Sequence, residues 1–230
     1  MHPDQKQDDG RLDEHRQRIV TMKRTPSTLV LCLAVLTILN GCAGRVRYPR
    51  YYTLNVATPP DPPAPQNAHA TLAVREFRAP AYLHQGAIVY RTSPEQIGFY
   101  AYHRWAVDPR DSVTNSIMDQ LRASGAFGRV EAYRGSSDIE YVLSGRLEKL
   151  EELDYQSGVK VQVAISAQVT SVSTGSTLWA NSVSEIGDVK ERDVPAIVSQ
   201  MNLTMQRAIE KLVTPLSAGW ADGSISARKD

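Results

Sequence analysis

The alternation of apolar and polar positions along the chain predicts a run of strands. Arg50 to Val56 (RYYTLNV) is rich in aromatic and β-branched residues and reads as the first. Thr71 to Phe77 sets Leu72, Val74 and Glu76 against Ala73, Arg75 and Phe77, and Ala87 to Arg91 (AIVYR) is short and apolar. Ile97 to Trp105 (IGFYAYHRW) puts Ile97, Phe99, Ala101, His103 and Trp105 on one face and Tyr100, Tyr102 and Arg104 on the other. Tyr141, Leu143 and Leu147 mark a long strand reaching about Leu153. After a turn at Gln156-Ser157-Gly158, Val159, Val161, Val163, Ile165, Ala167 and Val169 alternate with polar or small neighbours, the pattern of a half-buried strand. A turn at Ser173 to Ser176 leads to Leu178–Val183 and closes an antiparallel meander.

Two segments carry helical periodicity instead. One starts at Pro109 with Asp108 as N-cap and Asp111 in the first turn; Val113, Ile117 and Leu121 form its apolar stripe, and Gly125 stops it. The other runs from about Pro195 to Val213, capped by Asp193 or Val194, with Ile197, Met201, Met205, Ala208, Ile209 and Leu212 on one side. The two methionines read as core filler. The small, polar tail after Leu216 predicts fraying. These elements predict a single α+β domain, a mainly antiparallel sheet with two helices packed on one face.

The first forty residues do not belong to that domain. Residues 1–21 are polar and mixed in charge and read as a misassigned start. From Met22 the chain changes: Lys23 and Arg24 precede Leu29–Leu39, an apolar run broken only by Thr37. The run is too short to span about 30 Å of hydrocarbon and too uniform for an amphipathic core helix. It fits the h-region of a secretory signal over residues 22–41, a short uncleaved anchor being the alternative. Leu39-Asn40-Gly41-Cys42 follows at once and resembles the bacterial lipobox, with cleavage between Gly41 and Cys42 and acylation of the Cys42 sulfur. Residues 42–49 would then be a lipidated tether, 50–217 the domain and 218–230 a flexible tail. Within the domain, 58–66 (TPPDPPAPQ) is either a stiff surface connection or a spacer.

Charge and cysteine content narrow the classes. The chain carries 26 Lys+Arg against 25 Asp+Glu, and from Cys42 onward the two signs are equal, so nucleic-acid binding has no electrostatic support. Arg45, Arg47 and Arg50 beside the anchor favour either an anionic membrane surface or a solvated tether. Of the two cysteines, Cys32 lies in the signal and Cys42 would be consumed by lipid. No G-x-S-x-G elbow or Gly-rich phosphate loop occurs, and His69, His84 and His103 lack metal-ligand spacing. Glu148, Glu151, Glu152 and Asp154 read as the solvated charges of a strand edge. The reading is therefore of a non-enzyme without metal or cofactor. Its candidate partner-binding residues are the aromatic group Tyr82, Tyr90, Tyr100 and Tyr102 with Arg104.

Several segments together point to a family. A lipobox cysteine, YYTL (51–54), APAYL (79–83), IVYR (88–91), FYAYHRWA (99–106) and LRASGAF (121–127) resemble the ABC-type transport auxiliary lipoproteins. The resemblance implies a non-enzymatic periplasmic component of a transport system. Its partners would be an ABC permease and an MCE-domain protein that carry lipid between the two membranes, with phospholipid as a further candidate partner. It further implies anchoring in the inner leaflet of the outer membrane, and Ala43 fits, since aspartate after the lipidated cysteine is the usual inner-membrane signal. Two rival roles remain: an envelope-assembly lipoprotein that stabilises an outer-membrane β-barrel, and a free lipid carrier.

Overall fold

The computed structural model describes residues 46–57, 60, 70–135, 138–156 and 158–225. The strands are β1 (Arg50–Tyr52), β2 (Thr71–Val74), β3 (Ala87–Arg91), β4 (Ile97–Trp105), β5 (Arg129–Ala132), β6 (Tyr141–Gln156), β7 (Gly158–Ser171) and β8 (Thr177–Asp188). The helices among the described residues are α1 (Pro109–Ser124) and α2 (Val194–Ala221), and a 3-10 segment spans Ala81–Gln85. All of these elements lie in one compact unit that begins at Arg47.

The alternation in β7 organises the core. Val161, Val163, Ile165 and Val169 are fully buried, and they share one apolar cluster with the α2 stripe Ile197, Met201, Met205, Ala208, Ile209 and Leu212. Helix α1 adds Val113, Ile117 and Leu121 to the same cluster, so both helices cover one face of the sheet. Its start is capped as the sequence predicts: the Asp108 carboxylate accepts the Arg110 N–H at 2.9 Å. Gly125 ends it in the left-handed conformation at φ 65°, which glycine adopts without steric cost. Asp193 caps α2 by accepting the Ala196 N–H at 2.7 Å.

The eight strands form one sheet built around β6. One edge of β6 pairs with β7 along its length, and β7 pairs with β8, which is the antiparallel meander. Its other edge is shared. β2 runs parallel to the first part of β6 (Leu72 beside Tyr141), and β3 runs parallel to the last part (Tyr90 beside Glu152). Between them the chain keeps contact through Arg78, whose N–H donates to the Gly145 carbonyl at 3.0 Å. β2 and β3 thus act as two halves of one strand, parted by the 3-10 segment. β5 lies outside β2, while β4 and then β1 lie outside β3.

Most paired residues are in antiparallel partners, as expected, yet four of the seven pairings among the described residues are parallel. Strand β5 was not anticipated: it has four residues and one buried apolar side chain, Val130, which leaves no periodicity to detect. Strand β1 is shorter than the predicted Arg50–Val56, because its partner β4 ends at Trp105. β2 likewise stops before Phe77. Helix α2 runs on past Val213 to Ala221, and Trp220 is buried at 4% exposure, so the frayed tail expected after Leu216 does not begin there. Residues 1–45, most of the 58–66 insert and 226–230 lie outside the described residues.

Candidate functional site

The aromatic group singled out from the sequence sits where β3, β4 and the second half of β6 meet. Three of its members are spent on the fold. Tyr90 packs on Tyr100 with ring centroids 5.1 Å apart, and it lies over Gly98, its cross-strand neighbour. The Tyr100 hydroxyl donates to Glu152 Oε2 at 2.8 Å. The Tyr82 hydroxyl donates to the Glu148 carbonyl at 3.4 Å. Tyr102 is exposed, and the Arg104 guanidinium donates to the Gln85 carbonyl.

The faces of β4 differ from the simple alternation. Tyr100 and His103, predicted on opposite faces, touch edge to face with centroids 5.7 Å apart. The cause is an irregular pairing: Ala87 faces Arg104 while Val89 faces Phe99, so the intervening part of β4 has excess residues and its side-chain order shifts. Tyr52 of β1 stacks on His103 at 5.6 Å, with its hydroxyl 2.9 Å from Nδ1. Burial, and then the nearby Arg50 charge, hold the His103 pKa below its ordinary value.

The carboxylates on β6 are the largest departure from the sequence reading. Glu151 is 0% exposed and Glu152 is 3% exposed, in a central strand rather than an edge. Arg91 Nε stands 2.9 Å from Glu151 Oε2, but its N–H is not directed along a hydrogen bond, so the contact is one of charges. Lys149 Nζ lies 4.0 Å from the other oxygen. On the Glu152 side, burial pushes the carboxyl pKa up, against the opposing Tyr100 hydrogen bond. Burial and the same Glu152 contact also push the Tyr100 hydroxyl up. Burial and then the Glu151 charge push up that of Tyr82. No signal in the local sequence marks these carboxylates as interior. What buries them is the pairing of β6 on both edges.

A second feature is an open groove of 990 Å³ along β6, β7 and β8, lined among others by Arg75, Arg78, Arg146, Gln168 and Asn181. The Arg75 guanidinium sits 4.2 Å from the Tyr133 ring centroid, and Arg146 pairs with Glu148 at 2.9 Å. Among the described residues, no group of three or more His, Cys, Asp or Glu is arranged to hold a metal ion. No helix among them is long and apolar enough to cross a membrane. Leu39, Asn40, Gly41 and Cys42 lie outside the described residues.

The family model described as "ABC-type transport auxiliary lipoprotein component" matches residues 52–214, from the end of β1 through most of α2. The chain belongs to this family. As a transport auxiliary lipoprotein, it also shares its fold with solved structures. The protein XCC0632 from Xanthomonas campestris is 18% identical with a TM-score of 0.64, over 77% of this chain and 100% of that one. An uncharacterized protein is 16% identical with a TM-score of 0.57, over 74% and 99% respectively. None of the curated proteins matches the auxiliary lipoprotein in sequence.

Proposed function

We propose that this auxiliary lipoprotein is a non-enzymatic tether of an ABC/MCE intermembrane lipid transport system. It is anchored in the inner leaflet of the outer membrane through acyl chains on Cys42. The observation that carries the reading is the family match over residues 52–214, directly downstream of the Leu39-Asn40-Gly41-Cys42 sequence. A tether needs a stable domain and a durable anchor. Acyl chains supply the second, each buried methylene contributing about 0.8 kcal/mol and two or more chains holding a domain for long times. The domain supplies the first, with a continuous core under both helices.

Of the five candidate contact residues, Tyr82, Tyr90 and Tyr100 are held in the packing of β3, β4 and β6. Tyr102 is the exposed member of the group, and that exposure supports it as a contact residue, whereas the Arg104 guanidinium is held by the Gln85 carbonyl. Affinity purification of the full chain from crosslinked cells tests the assignment. Recovery of an MCE-domain protein with its permease supports it. Recovery of an outer-membrane β-barrel alone, without either, replaces it with an assembly role. Co-purified lipid in stoichiometric amount, with no protein partner, replaces it with a free carrier.

A further inference from the structure

The contact surface around Tyr102 continues onto β1, the edge strand that follows the anchor. Four exposed large side chains lie along β1 and β4 and at their ends: Tyr48 at 81%, Tyr51 at 62%, Val107 at 50% and Tyr102 at 45%. Arginines are interleaved with them. The Arg47 guanidinium carbon lies 6.0 Å from the Tyr102 ring centroid, and Tyr51 lies beside Arg104 in the β1–β4 register. Arg47 and Arg50 are both exposed. Neither 47–57 nor 97–107 contains an aspartate or glutamate, so the positive charge of this corner is uncompensated in sequence.

The orientation is fixed from behind. Tyr52, unlike its neighbour Tyr51, is turned inward: it stacks on His103 and its hydroxyl meets Nδ1 at 2.9 Å. Successive strand residues point to opposite sides, so Tyr51 is held away from that contact. The Ala106 N–H donates to the Tyr52 carbonyl at 2.8 Å and ties the start of the 106–107 turn to the same strand.

We infer that Tyr48, Tyr51 and Tyr102, with Arg47, form a bilayer-docking surface that lays this corner of the domain on the headgroup region of an anionic membrane. Tyrosine suits that layer because its ring is apolar and its hydroxyl stays wet. Arginine there is drawn to anionic headgroups. The position supports lipid as the occupant: Arg50 is eight residues from Cys42, a reach of about 28 Å at full extension. An anchor that close raises the effective concentration of bilayer at the patch, so individually weak contacts suffice. This inference rests on the Cys42 anchor proposed above, and it names the lipid surface as what Tyr102 meets.

The test uses the full chain with one added thiol, Tyr48→Cys or Tyr102→Cys, carrying an environment-sensitive fluorophore. Val172→Cys and Ile186→Cys are controls of similar exposure away from the patch. Each protein is placed in vesicles of phosphatidylethanolamine and phosphatidylglycerol. Emission from positions 48 and 102 is expected to shift to shorter wavelength and to be quenched by brominated lipid, while positions 172 and 186 stay in water. Adding Arg47→Gln should weaken docking about fivefold. Labels at 48 and 102 that remain in water, or all four shifting alike, overturn the surface. Shielding only after the co-purified transport partner is added also overturns it, in favour of a protein contact. Mass spectrometry of the purified chain reports acylation separately, so loss of the anchor reading and loss of the surface are distinguishable.

Discussion

The Tyr100 hydroxyl, on the outer strand β4, donates a 2.8 Å hydrogen bond to the buried Glu152 carboxylate of the central strand β6. It links the β3–β4 hairpin to the strand that holds the meander. Tyr100→Phe leaves that carboxylate without its donor, at a cost of about 1–3 kcal/mol. The cost depends on pH. Burial raises the Glu152 pKa above its ordinary 4.5, so the stabilising contribution is full below that value and is lost as pH rises through the folded-state value. The Tyr100 bond opposes the rise, and removing it enlarges the loss. The variant should therefore be more impaired at about pH 8 than at about pH 5, read from thermal unfolding by circular dichroism. A penalty that does not vary with pH would show that ionised Glu152 is not what Tyr100 serves.

Glu152→Gln keeps an acceptor for Tyr100 and removes the charge. Its unfolding midpoint should exceed that of the native chain above neutral pH, and the difference should close as Glu152 becomes protonated in acid. Equal midpoints at all pH values would mean that burial imposes no cost on this carboxylate.

On the other side of β6, Glu151 is wholly buried with Arg91 Nε at 2.9 Å. Arg91→Met removes the nearer positive partner and leaves the buried charge with only Lys149 at 4.0 Å, a loss of about 3 kcal/mol. Combining it with Glu151→Leu removes the orphaned charge, and most of that loss should return. Urea denaturation of the two single variants and the double variant gives the coupling. Additive losses would mean that the two charges do not sense one another.

Much of this architecture is legible in the chain because local and tertiary signals agree. The Asp108 cap, the Val113-Ile117-Leu121 stripe, Gly125 and the odd-numbered valines of β7 each say locally what the fold does with them. Agreement fails where burial comes from distant pairing. Glu151 and Glu152 look like surface charges in a window of ten residues; only the packing of β3 against β6 encloses them. Val130 is a lone apolar residue in β5, and its strand exists because β2 offers a free edge. For the candidate contact group, composition identified the region. The hydroxyl partners that occupy Tyr82 and Tyr100 are set by β6, which no local pattern reveals.

Gly145 shows how closely that centre is packed. A Cβ there would overlap the Phe77 ring, and it would lie 2.7 Å from the Ser166 carbonyl oxygen on β7. Phe77 is itself 1% exposed, so the ring has no open space to move into. Gly145→Ala should destabilise by about 1–3 kcal/mol through overpacking. Phe77→Leu in the same chain should restore only part, because the backbone oxygen remains. Full restoration, measured in urea, would place all of the strain on the ring.

The end of α2 is held in place by Trp220. Small residues from Ser217 to Gly219 and an internal Pro215 argue locally for a helix that has already ended. The chain nevertheless stays helical to Ala221, and the Pro215 side of the helix is exposed. Trp220 supplies the reason: its ring packs 4.7 Å from that of Phe127 and 4.5 Å from that of Tyr141, closing the core where α1 ends and β6 begins. Burial of one large aromatic outweighs the roughly 1 kcal/mol that a helical glycine costs. Trp220→Ala should lower stability by about 3–5 kcal/mol, comparable to a core substitution such as Phe127→Ala. Hydrogen exchange should show amides 216–221 losing protection in the variant. If Trp220→Ala leaves both stability and exchange unchanged, the last two turns of α2 contribute nothing to the domain, and its boundary returns to about residue 217.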